Sequence, residues 1–404
     1  MFLYIDPGTG SMLFSILIGV VSTALFFGQR LFMKLKFILS GGKAAKISDT
    51  KIPYLIFSDH KRYWNVFKPV CDEFEKRGID IVYWTASPDD PALIEKYEHV
   101  KAEFIGEGNK AFARLNMMNA GICLSTTPGL DVYQWKRSKN CDYYVHILHA
   151  VDDPSSYRMF GLDFYDAVLL SGSYQQEQIR YLEKERNLKE KELKVVGCTY
   201  MDTMYNRVKS VSKKAENKLT VLLAPSWGKS GILSKYGKKI LDALINTGYK
   251  IIVRPHPQSL TSEKEIMEAL FNEYKDSDNF SWNFDNDNFE VLNSADILIT
   301  DFSGIIFDYS LVFDKPLIYA DTSFDTAPYD AAWLPDEMWK FKVLPSIGVK
   351  LDESQFADMK ALIEKTIKDK TLLQGRDSAR KTAWENIGNS AKLTADYMIE
   401  KFQK

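Results

Sequence analysis

The sequence lacks the residue patterns that mark several common classes of protein. Its four cysteines form no Cys-x-x-Cys pair, so we expect neither a disulfide framework nor a structural zinc site, and a reducing compartment fits best. It contains neither a Gly-x-Gly-x-x-Gly turn nor a P-loop, which argues against a dinucleotide oxidoreductase and a P-loop kinase or hydrolase. No metal-ligand cluster stands out, so we predict no cofactor and no metal site, with a loosely bound Mg²⁺ as an alternative.

The charges nearly cancel, which excludes another class. Lysine and arginine number 52 against 54 aspartates and glutamates, a formal net charge of −2 over 404 residues. Such a chain has no basic field to attract a phosphodiester backbone, so we expect no nucleic-acid partner. With 45% hydrophobic residues, it is long enough for two globular domains of about 150 to 200 residues each.

Charge is absent from one stretch near the start of the chain. Residues 7–29 contain no charged side chain and are largely apolar, and five lysine or arginine residues follow before the next acidic residue, Asp49. A run of this length can span a bilayer as a helix, and the basic flank predicts that the rest of the chain lies on the cytoplasmic side. We therefore expect residues 1–48 to form a membrane anchor with a basic juxtamembrane segment, in a single-pass protein of the cell membrane.

Three other interpretations of this stretch stay open. A cleaved signal peptide would carry its positive charges before the apolar run rather than after it. A helix lying along the anionic headgroups and a helix buried in a protein core are the remaining possibilities.

From residue 53 onward, short aliphatic runs alternate with longer helical stretches. This pattern predicts an α/β fold with two Rossmann-like domains that face a cleft, preceded by the N-terminal transmembrane helix. The polar stretch 206–218 separates the halves, so we place the domains at 49–210 and 211–404 and expect helices over 353–402. The predicted strands are 53–57, 79–84, 120–126, 143–148, 166–172 and 193–197 in the first half, and 219–226, 249–255, 295–301 and 316–320 in the second.

Residues that follow strands are the candidate site residues, because ligands of parallel α/β domains bind beyond the carboxyl ends of the strands. Arg254 and His256 come directly after one strand, in Arg-Pro-His-Pro. Guanidinium and imidazole groups can donate hydrogen bonds to a diphosphate, and the prolines stiffen the turn. The alternative is a loop histidine bonded to a backbone carbonyl. Ser226 follows another strand, in a loop with two glycines.

The segment Thr-Asp-Phe-Ser-Gly predicts a sharp turn into a helix. Asp301 or Ser303 is expected to cap that helix, and Gly304 leaves its first backbone N–H groups open to a phosphate. A plain N-cap without a ligand fits the pattern equally well. Asp308, farther along the helix, faces either the cleft or solvent.

Two histidines in Tyr-Tyr-Val-His-Ile-Leu-His-Ala are candidates for a general base. His146 lies within the predicted strand, so we expect it to be packed, whereas His149 lies at or beyond the strand end and precedes Asp152 and Asp153. These carboxylates could orient the ring of His149 or raise its pKa, so we assign the role of base to His149. A basic turn after the first strand, which includes Arg62, meets either an anionic acceptor or solvent.

Taken in order, these motifs resemble the CDP-glycerol glycerophosphotransferase family of teichoic-acid primases and polymerases. The resemblance covers roughly residues 140–325 and rests on Arg-Pro-His-Pro, on Asp-Phe-Ser-Gly with its downstream Phe-Asp, and on the Lys-Pro-x-x-Tyr strand. It implies a glycosyltransferase-B-type fold, with the donor nucleotide in the C-terminal domain and the acceptor near the N-terminal one. Two motifs differ, because the family's His-Gly-Thr-Pro is His-Ala-Val-Asp here and its Asp-Tyr-Ser-Ser is Asp-Phe-Ser-Gly, which lacks one hydroxyl.

The resemblance implies transfer of glycerol phosphate, or a related alditol phosphate, from a CDP-activated donor to a hydroxyl of a cell-envelope polymer or lipid-linked acceptor. Its expected partners are thus the CDP-linked alditol, a membrane-linked or polymeric acceptor, and the bilayer. A sugar-nucleotide-dependent glycosyltransferase or a nucleotide-sugar epimerase of similar fold is the alternative. The expected catalytic residues are His149 and His256, and the expected donor-binding residues are Arg254, Asp301, Ser303, Gly304, Ser226 and Asp308.

Overall fold

The computed structural model describes residues 51–211, 218–285, 287–320 and 324–403. The predicted membrane anchor at residues 1–48 lies outside these ranges. Within them, no helix combines the length and the apolar character needed to cross a bilayer.

Thirteen described strands form two sheets in which every strand pair is parallel. The first sheet has the order β3-β2-β1-β4-β5-β6-β7 and the second the order β10-β9-β8-β11-β12-β13. The strands are β1 Ile52–Ser58, β2 Ile81–Thr85, β3 Val100–Phe104, β4 Ala120–Ser125, β5 Cys141–Ile147, β6 Ala167–Leu170, β7 Glu192–Val195, β8 Thr220–Leu223, β9 Lys250–Val253, β10 Phe280–Trp282, β11 Ile297–Thr300, β12 Leu317–Ala320 and β13 Gly348–Leu351.

The strands form where aliphatic residues run consecutively. In β1, Leu55, Ile56 and Phe57 are at most 1% exposed, although successive side chains point to opposite faces of the sheet. Both faces must therefore be covered, as is usual for parallel sheets.

Helices supply this cover. The described α-helices are Trp64–Arg77, Asn109–Leu115, Gln175–Glu185, Thr199–Ser210, Ile232–Tyr236, Lys238–Ile245, Ser259–Ser262, Lys264–Glu273, Phe289–Ser294, Ile305–Phe307, Trp339–Ile347, Met359–Lys368, Thr371–Ala383 and Ser390–Phe402. The helix Ile305–Phe307 continues as the π-helical turn Asp308–Val312.

The predicted α/β architecture with two parallel sheets is confirmed, and each predicted strand is present to within a few residues. The sequence pattern misses β3, β10 and β13, which all lie at sheet edges. An edge strand is partly open to solvent, so it needs no continuous apolar run, as Val-Lys-Ala-Glu-Phe in β3 illustrates. The four cysteines are buried and free.

The last helix returns from the second half to the first. Ser390–Phe402 packs on the helix Trp64–Arg77 and on β4. Gly121 in β4 permits this close approach, because a Cβ at that position would lie 2.4 Å from the ring of Phe402. The predicted helical C-terminal region therefore contacts both halves, since the helix Met359–Lys368 packs against β12.

A buried carboxylate holds in place the segment that leads into this last helix. Asp202, in the helix Thr199–Ser210, accepts the indole N–H of Trp384 at 3.0 Å and the backbone N–H groups of Gly388 at 2.8 Å and Ser390 at 3.2 Å. The hydroxyl of Ser390 also donates to it. One side chain thus satisfies the donors of Trp384 and Ser390, which would otherwise be buried without an acceptor.

We predict that Asp202→Ala lowers the free energy of unfolding by about 3 kcal/mol, because it leaves several buried donors unpaired. The control is Asp396→Ala, which removes a partly exposed ion pair between the same final helix and Arg77 and should cost less than about 1 kcal/mol. Urea unfolding followed by tryptophan fluorescence measures both losses. Equal losses of unfolding free energy in the two variants would contradict the role of Asp202 in holding this segment.

Candidate active site

The candidate residues converge because each sheet reverses its strand order once. The reversal lies between β1 and β4 in the first sheet and between β8 and β11 in the second. At such a point the loops after the two strands run to opposite sides and leave a crevice. The loops after β1, β4 and β5 build one side of the candidate site, and the loops after β8, β9 and β11 build the other.

His149 lies two residues beyond the end of β5 and is held by two hydroxyl groups. Its Nδ1 is 3.0 Å from Oγ1 of Thr126 and 3.3 Å from Oη of Tyr157. Its ring packs edge-on against that of Tyr63, with centroids 5.0 Å apart. Because Nδ1 is occupied, Nε2 is the ring nitrogen available to a substrate.

The surroundings keep His149 neutral. Burial first, and the positive charge of Arg62 second, lower the pKa of its imidazole to about 4, although Asp152 acts in the opposite direction. Asp152 does raise the pKa of His149, as expected of a neighbouring carboxylate, but burial and Arg62 outweigh it and the net shift is downward. Asp153 is engaged elsewhere, because its carboxylate accepts the backbone N–H of Trp339 at 2.9 Å.

His146 is packed in the sheet, as predicted. The side chain is fully buried, and its Nε2 lies 3.1 Å from Oη of Tyr157. The ring also makes an edge contact with Tyr165, at a centroid distance of 4.9 Å. Burial lowers the pKa of His146 well below its ordinary value, so this imidazole stays neutral.

A buried carboxylate organises the loops of the second half. Asp301 is 1% exposed and accepts the backbone N–H groups of Ser226 at 2.9 Å, Ile232 at 3.1 Å and Ser303 at 3.1 Å. Burial raises the pKa of this carboxyl despite these hydrogen bonds. Any part that Asp301 plays in donor binding therefore acts through the loops that it holds together.

The helix after β11 begins without the predicted cap. Gly304 occupies the N-cap position and no side chain caps the helix, so the expected cap by Asp301 or Ser303 is wrong. The carboxylate of Asp301 reaches only the N–H of Ser303, which precedes the helix. Gly304 is exposed, with open space where a Cβ would lie. There is therefore room for an oxyanion beside Gly304, although the N–H groups of Ile306 and Phe307 already donate to the carbonyls of Ser303 and Gly304.

His256 lies in the loop after β9 with one ring nitrogen already engaged. Its Nδ1 accepts the backbone N–H of Gln258 at 3.1 Å, and its ring lies 6.4 Å from that of Trp227. Burial first, and the positive charge of Arg62 second, lower the pKa of His256. The same guanidinium thus acts on His149 and on His256.

Arg254 and Asp308 do not contact His256 and instead lie around Tyr200. Arg254 donates to the carbonyl of Asp285 at 2.7 Å and to the side chain of a neighbouring asparagine, and burial lowers its pKa. The hydroxyl of Tyr200 donates to Oδ1 of Asn288 at 3.2 Å and lies near Asp308, and burial raises the pKa of Asp308 to about 7, although Tyr200 acts in the opposite direction. The predicted donor-binding residues therefore form two groups, one near His256 and one near Tyr200.

Three side chains of the site are not predicted from the sequence. Thr126 follows β4 directly and could have been found by the rule that gave the other candidates. Tyr157 lies in a connecting loop and Tyr200 within a helix, so no local pattern distinguishes them. In the described part of the chain, no three histidine, cysteine, aspartate or glutamate side chains form a group that could hold a metal ion.

A family model matches part of this site. The model described as CDP-Glycerol:Poly(glycerophosphate) glycerophosphotransferase matches residues 158–334, which is under half of the chain. That range contains Arg254, His256 and the turn at 301–304, but it does not reach His149. No curated protein sequence matches the chain.

Solved structures share the fold at low sequence identity. The wall teichoic acid polymerase TagF, as a histidine-to-asparagine variant soaked with CDPG, gives a TM-score of 0.58 at 13% identity and covers 96% of this chain and 98% of that one. A UDP-GlcNAc 2-epimerase from Methanocaldococcus jannaschii gives 0.54 at 13% identity, covering 87% and 100%. A putative UDP-N-acetylglucosamine 2-epimerase from Listeria monocytogenes gives 0.56 at 12% identity, covering 88% and 97%. At this identity the likenesses establish the fold alone.

The family match and the fold agree with the sequence motifs. The matched residues include the ordered motifs of the second half, and the fold likeness to TagF extends over nearly the whole chain. The resemblance to the CDP-glycerol glycerophosphotransferase family is therefore confirmed, and this chain is a CDP-glycerol glycerophosphotransferase-like enzyme.

Proposed function

We propose that the protein is a membrane-associated transferase that moves glycerol phosphate, or a related alditol phosphate, from a CDP-activated donor to a hydroxyl of a cell-envelope polymer or lipid-linked acceptor. The shared influence of Arg62 supports this most strongly, because its charge lowers the pKa of both His149 and His256. One histidine follows a strand of the first sheet and the other a strand of the second. A phosphate held at Arg62 would therefore lie near both imidazoles.

His149 acts as the general base in this proposal. Its neutral imidazole takes the proton of the acceptor hydroxyl at Nε2. The hydroxyl oxygen forms a bond to the β-phosphorus of the donor, the bond from that phosphorus to the bridging oxygen breaks, and CMP leaves with the electron pair. A base with a pKa of about 4 accepts a proton weakly, but a bound phosphate would neutralise Arg62 and raise this pKa.

His256 acts as a hydrogen-bond donor to the diphosphate. The Gln258 N–H donates to its Nδ1, so the neutral imidazole must carry its proton on Nε2. The backbone N–H of the exposed Gly304 and the hydroxyl of Ser303 add further donors at the same end of the sheet. Together they stabilise the negative charge that develops on the departing CMP.

The group around Tyr200 suits the nucleoside part of the donor. Asp308 lies near the hydroxyl of Tyr200, in a position where burial raises the pKa of its carboxyl to about 7. Such a group accepts hydrogen bonds from sugar hydroxyls, which would replace the water that burial removes. Arg254, whose pKa is influenced by Tyr200, adds a positive charge near that tyrosine.

Membrane association is argued from the sequence. Residues 7–29 are uncharged and a basic segment follows them, so a single-pass anchor with cytoplasmic catalytic domains is part of the proposal. Such an anchor would hold the site close to lipid-linked acceptors.

A sugar-nucleotide-dependent glycosyltransferase or epimerase is the second candidate. Nucleotide-sugar 2-epimerases share the fold, and a site that binds a diphosphate between two Rossmann-like halves would serve a UDP-sugar as well. The nucleotide that is released distinguishes the two candidates.

We predict that the full-length protein releases CMP from CDP-glycerol and releases no UDP from UDP-sugars. His149→Ala should lower kcat by about 10²–10⁴-fold with little change in nucleotide affinity, whereas His146→Ala should mainly lower the melting temperature, because its ring is packed. A panel of CDP- and UDP-linked donors, with nucleotide release, affinity and melting measured side by side, provides the test.

Two outcomes of this panel would contradict the proposal. Release of UDP without release of CMP would favour the sugar-nucleotide candidate. A folded but inactive His146→Ala together with a normally active His149→Ala would exchange the roles of the two histidines.

We predict that Asp308→Asn stabilises the protein at pH 8 and weakens donor binding. The folded-state pKa of Asp308 is raised from 3.8 to about 7, so the parent loses stability as pH rises between these values and the loss is complete above pH 7. Asparagine cannot ionise, so the gain at pH 8 should be on the order of 4 kcal/mol and should vanish near pH 4. Thermal melting at both pH values and titration with CDP-glycerol measure the two effects.

The control for this prediction is Asp287→Asn. Burial raises the pKa of Asp287, but its contacts, above all the one with Arg207 at 2.6 Å, outweigh burial and lower it overall, so the change should not stabilise the protein at pH 8. A gain of similar size in both variants would refute the special role of Asp308.

We predict that extraction at alkaline pH leaves the full-length protein in the membrane fraction, because residues 7–29 are long and apolar enough to span the bilayer. Removal of residues 1–48 should shift the protein to the supernatant. Complete release of the full-length protein would rule out a spanning anchor and favour attachment along the headgroups.

A further inference from the structure

Two histidines of the first half share one tyrosine hydroxyl. Oη of Tyr157 lies 3.1 Å from Nε2 of His146 and 3.3 Å from Nδ1 of His149. Both imidazole rings also pack against the ring of Tyr157, with centroid distances of 5.2 and 6.2 Å. A hydroxyl has one proton, so Tyr157 donates to one imidazole and accepts from the other.

The direction of the hydrogen bonds through the Tyr157 hydroxyl decides which ring nitrogen of His149 is bare, that is, carries no proton. If Tyr157 donates to His146, its oxygen accepts the Nδ1–H of His149, and Nε2 of His149 carries no proton. In the opposite direction, Nε2 of His149 carries the proton and cannot accept one from a substrate. Only the first direction fits a base that acts at Nε2.

Protonation of His149 favours the first direction. Once His149 has taken a proton, both of its ring nitrogens carry hydrogen, so Nδ1 must donate to the hydroxyl oxygens of Thr126 and Tyr157, which lie within reach. In the first direction the same arrangement serves the neutral and the charged ring. No group then has to turn during the reaction.

His146 is compatible with the first direction at a cost. Its low pKa keeps the imidazole neutral, so one ring nitrogen is always an acceptor, and in the first direction that nitrogen is Nε2. Its Nδ1 is buried without a hydrogen-bond partner, and in this direction that atom carries the hydrogen. An unpaired buried donor is rare in an ordinary core and is more readily explained at a functional site.

We propose that Tyr157 is a positioning residue that holds His149 in the tautomer with a proton on Nδ1 and a bare Nε2. The inference rests on the proposed function because it takes His149 as the base. Tyr157 itself need not touch the substrate. It acts through the ring of His149.

The second half of the chain holds Tyr157 in place. The carbonyl of Tyr157 accepts the backbone N–H of Asp330 at 2.9 Å. The carboxylate of Asp330, which is 1% exposed, accepts the N–H of Phe160 at 2.8 Å and pairs with Arg186. A segment of the donor half therefore fixes the loop that orients the base of the acceptor half.

Imidazole ¹⁵N NMR of the full-length protein in detergent micelles tests the tautomer directly. The chain has five histidines, so histidine-selective labelling gives few signals, and His149→Gln identifies the signal of His149. We expect the parent to show a protonated Nδ1 and a bare Nε2 on His149. Tyr157→Phe should show a mixture of both tautomers.

Kinetics with CDP-glycerol provide the second measurement. Tyr157→Phe should lower kcat by about tenfold, the change that loss of one hydrogen bond produces, and leave the KM for CDP-glycerol within about twofold. The control is Tyr144→Phe, which removes a fully buried hydroxyl that accepts the N–H of Ser138 at 2.7 Å. It should keep the parent's kcat and the tautomer of His149.

The two measurements separate this inference from the proposed function. A proton on Nε2 of His149 in the parent would overturn the inference even if CDP-glycerol is turned over. An unchanged tautomer in Tyr157→Phe would overturn it as well. A protonated Nδ1 that is lost in Tyr157→Phe would support it, and failure of the parent to release CMP would then count against the proposed function alone.

Discussion

Parallel pairing of the strands is the constraint on which the rest of the structure depends. Each strand leaves its sheet at the same edge as its neighbours, so loops that are far apart in the sequence meet at that edge. Arg62, His149 and Thr126 meet in this way in the first half. His256 and Gly304 do so in the second. The site is thus assembled from positions that share only their relation to a strand.

Buried carboxylates hold the loops at these edges. Asp153, Asp202, Asp301 and Asp330 each accept backbone N–H groups from segments distant in the chain. Burying a carboxylate is costly unless several donors reach it, and here the donors come from turns and helix starts that lack partners of their own. These acids therefore shape the site without having to meet the substrate.

The sequence predicts the features that depend on local pattern. The central strands and the contrasting positions of His146 and His149 follow from apolar runs and their ends. The missed edge strands, the absent cap at Asp301 and the low pKa of His149 all depend on contacts with distant segments, such as that of Arg62. Tyr157 has no local signal in the sequence, because its role depends on the contacts of its hydroxyl with the rings of His146 and His149 in another segment. The anchor at 1–48 and the domain boundaries stay predictions.

The contacts of Asp202 place the two covalent connections between the halves side by side. The chain leaves the first half after the helix Thr199–Ser210 and returns near Trp384 and Ser390, which both bind this carboxylate. Because both connections between the halves meet at this carboxylate, any change in the opening between the halves would bend the chain at this point. The width of the space in front of His149 would then depend on how firmly Asp202 holds the two connections together.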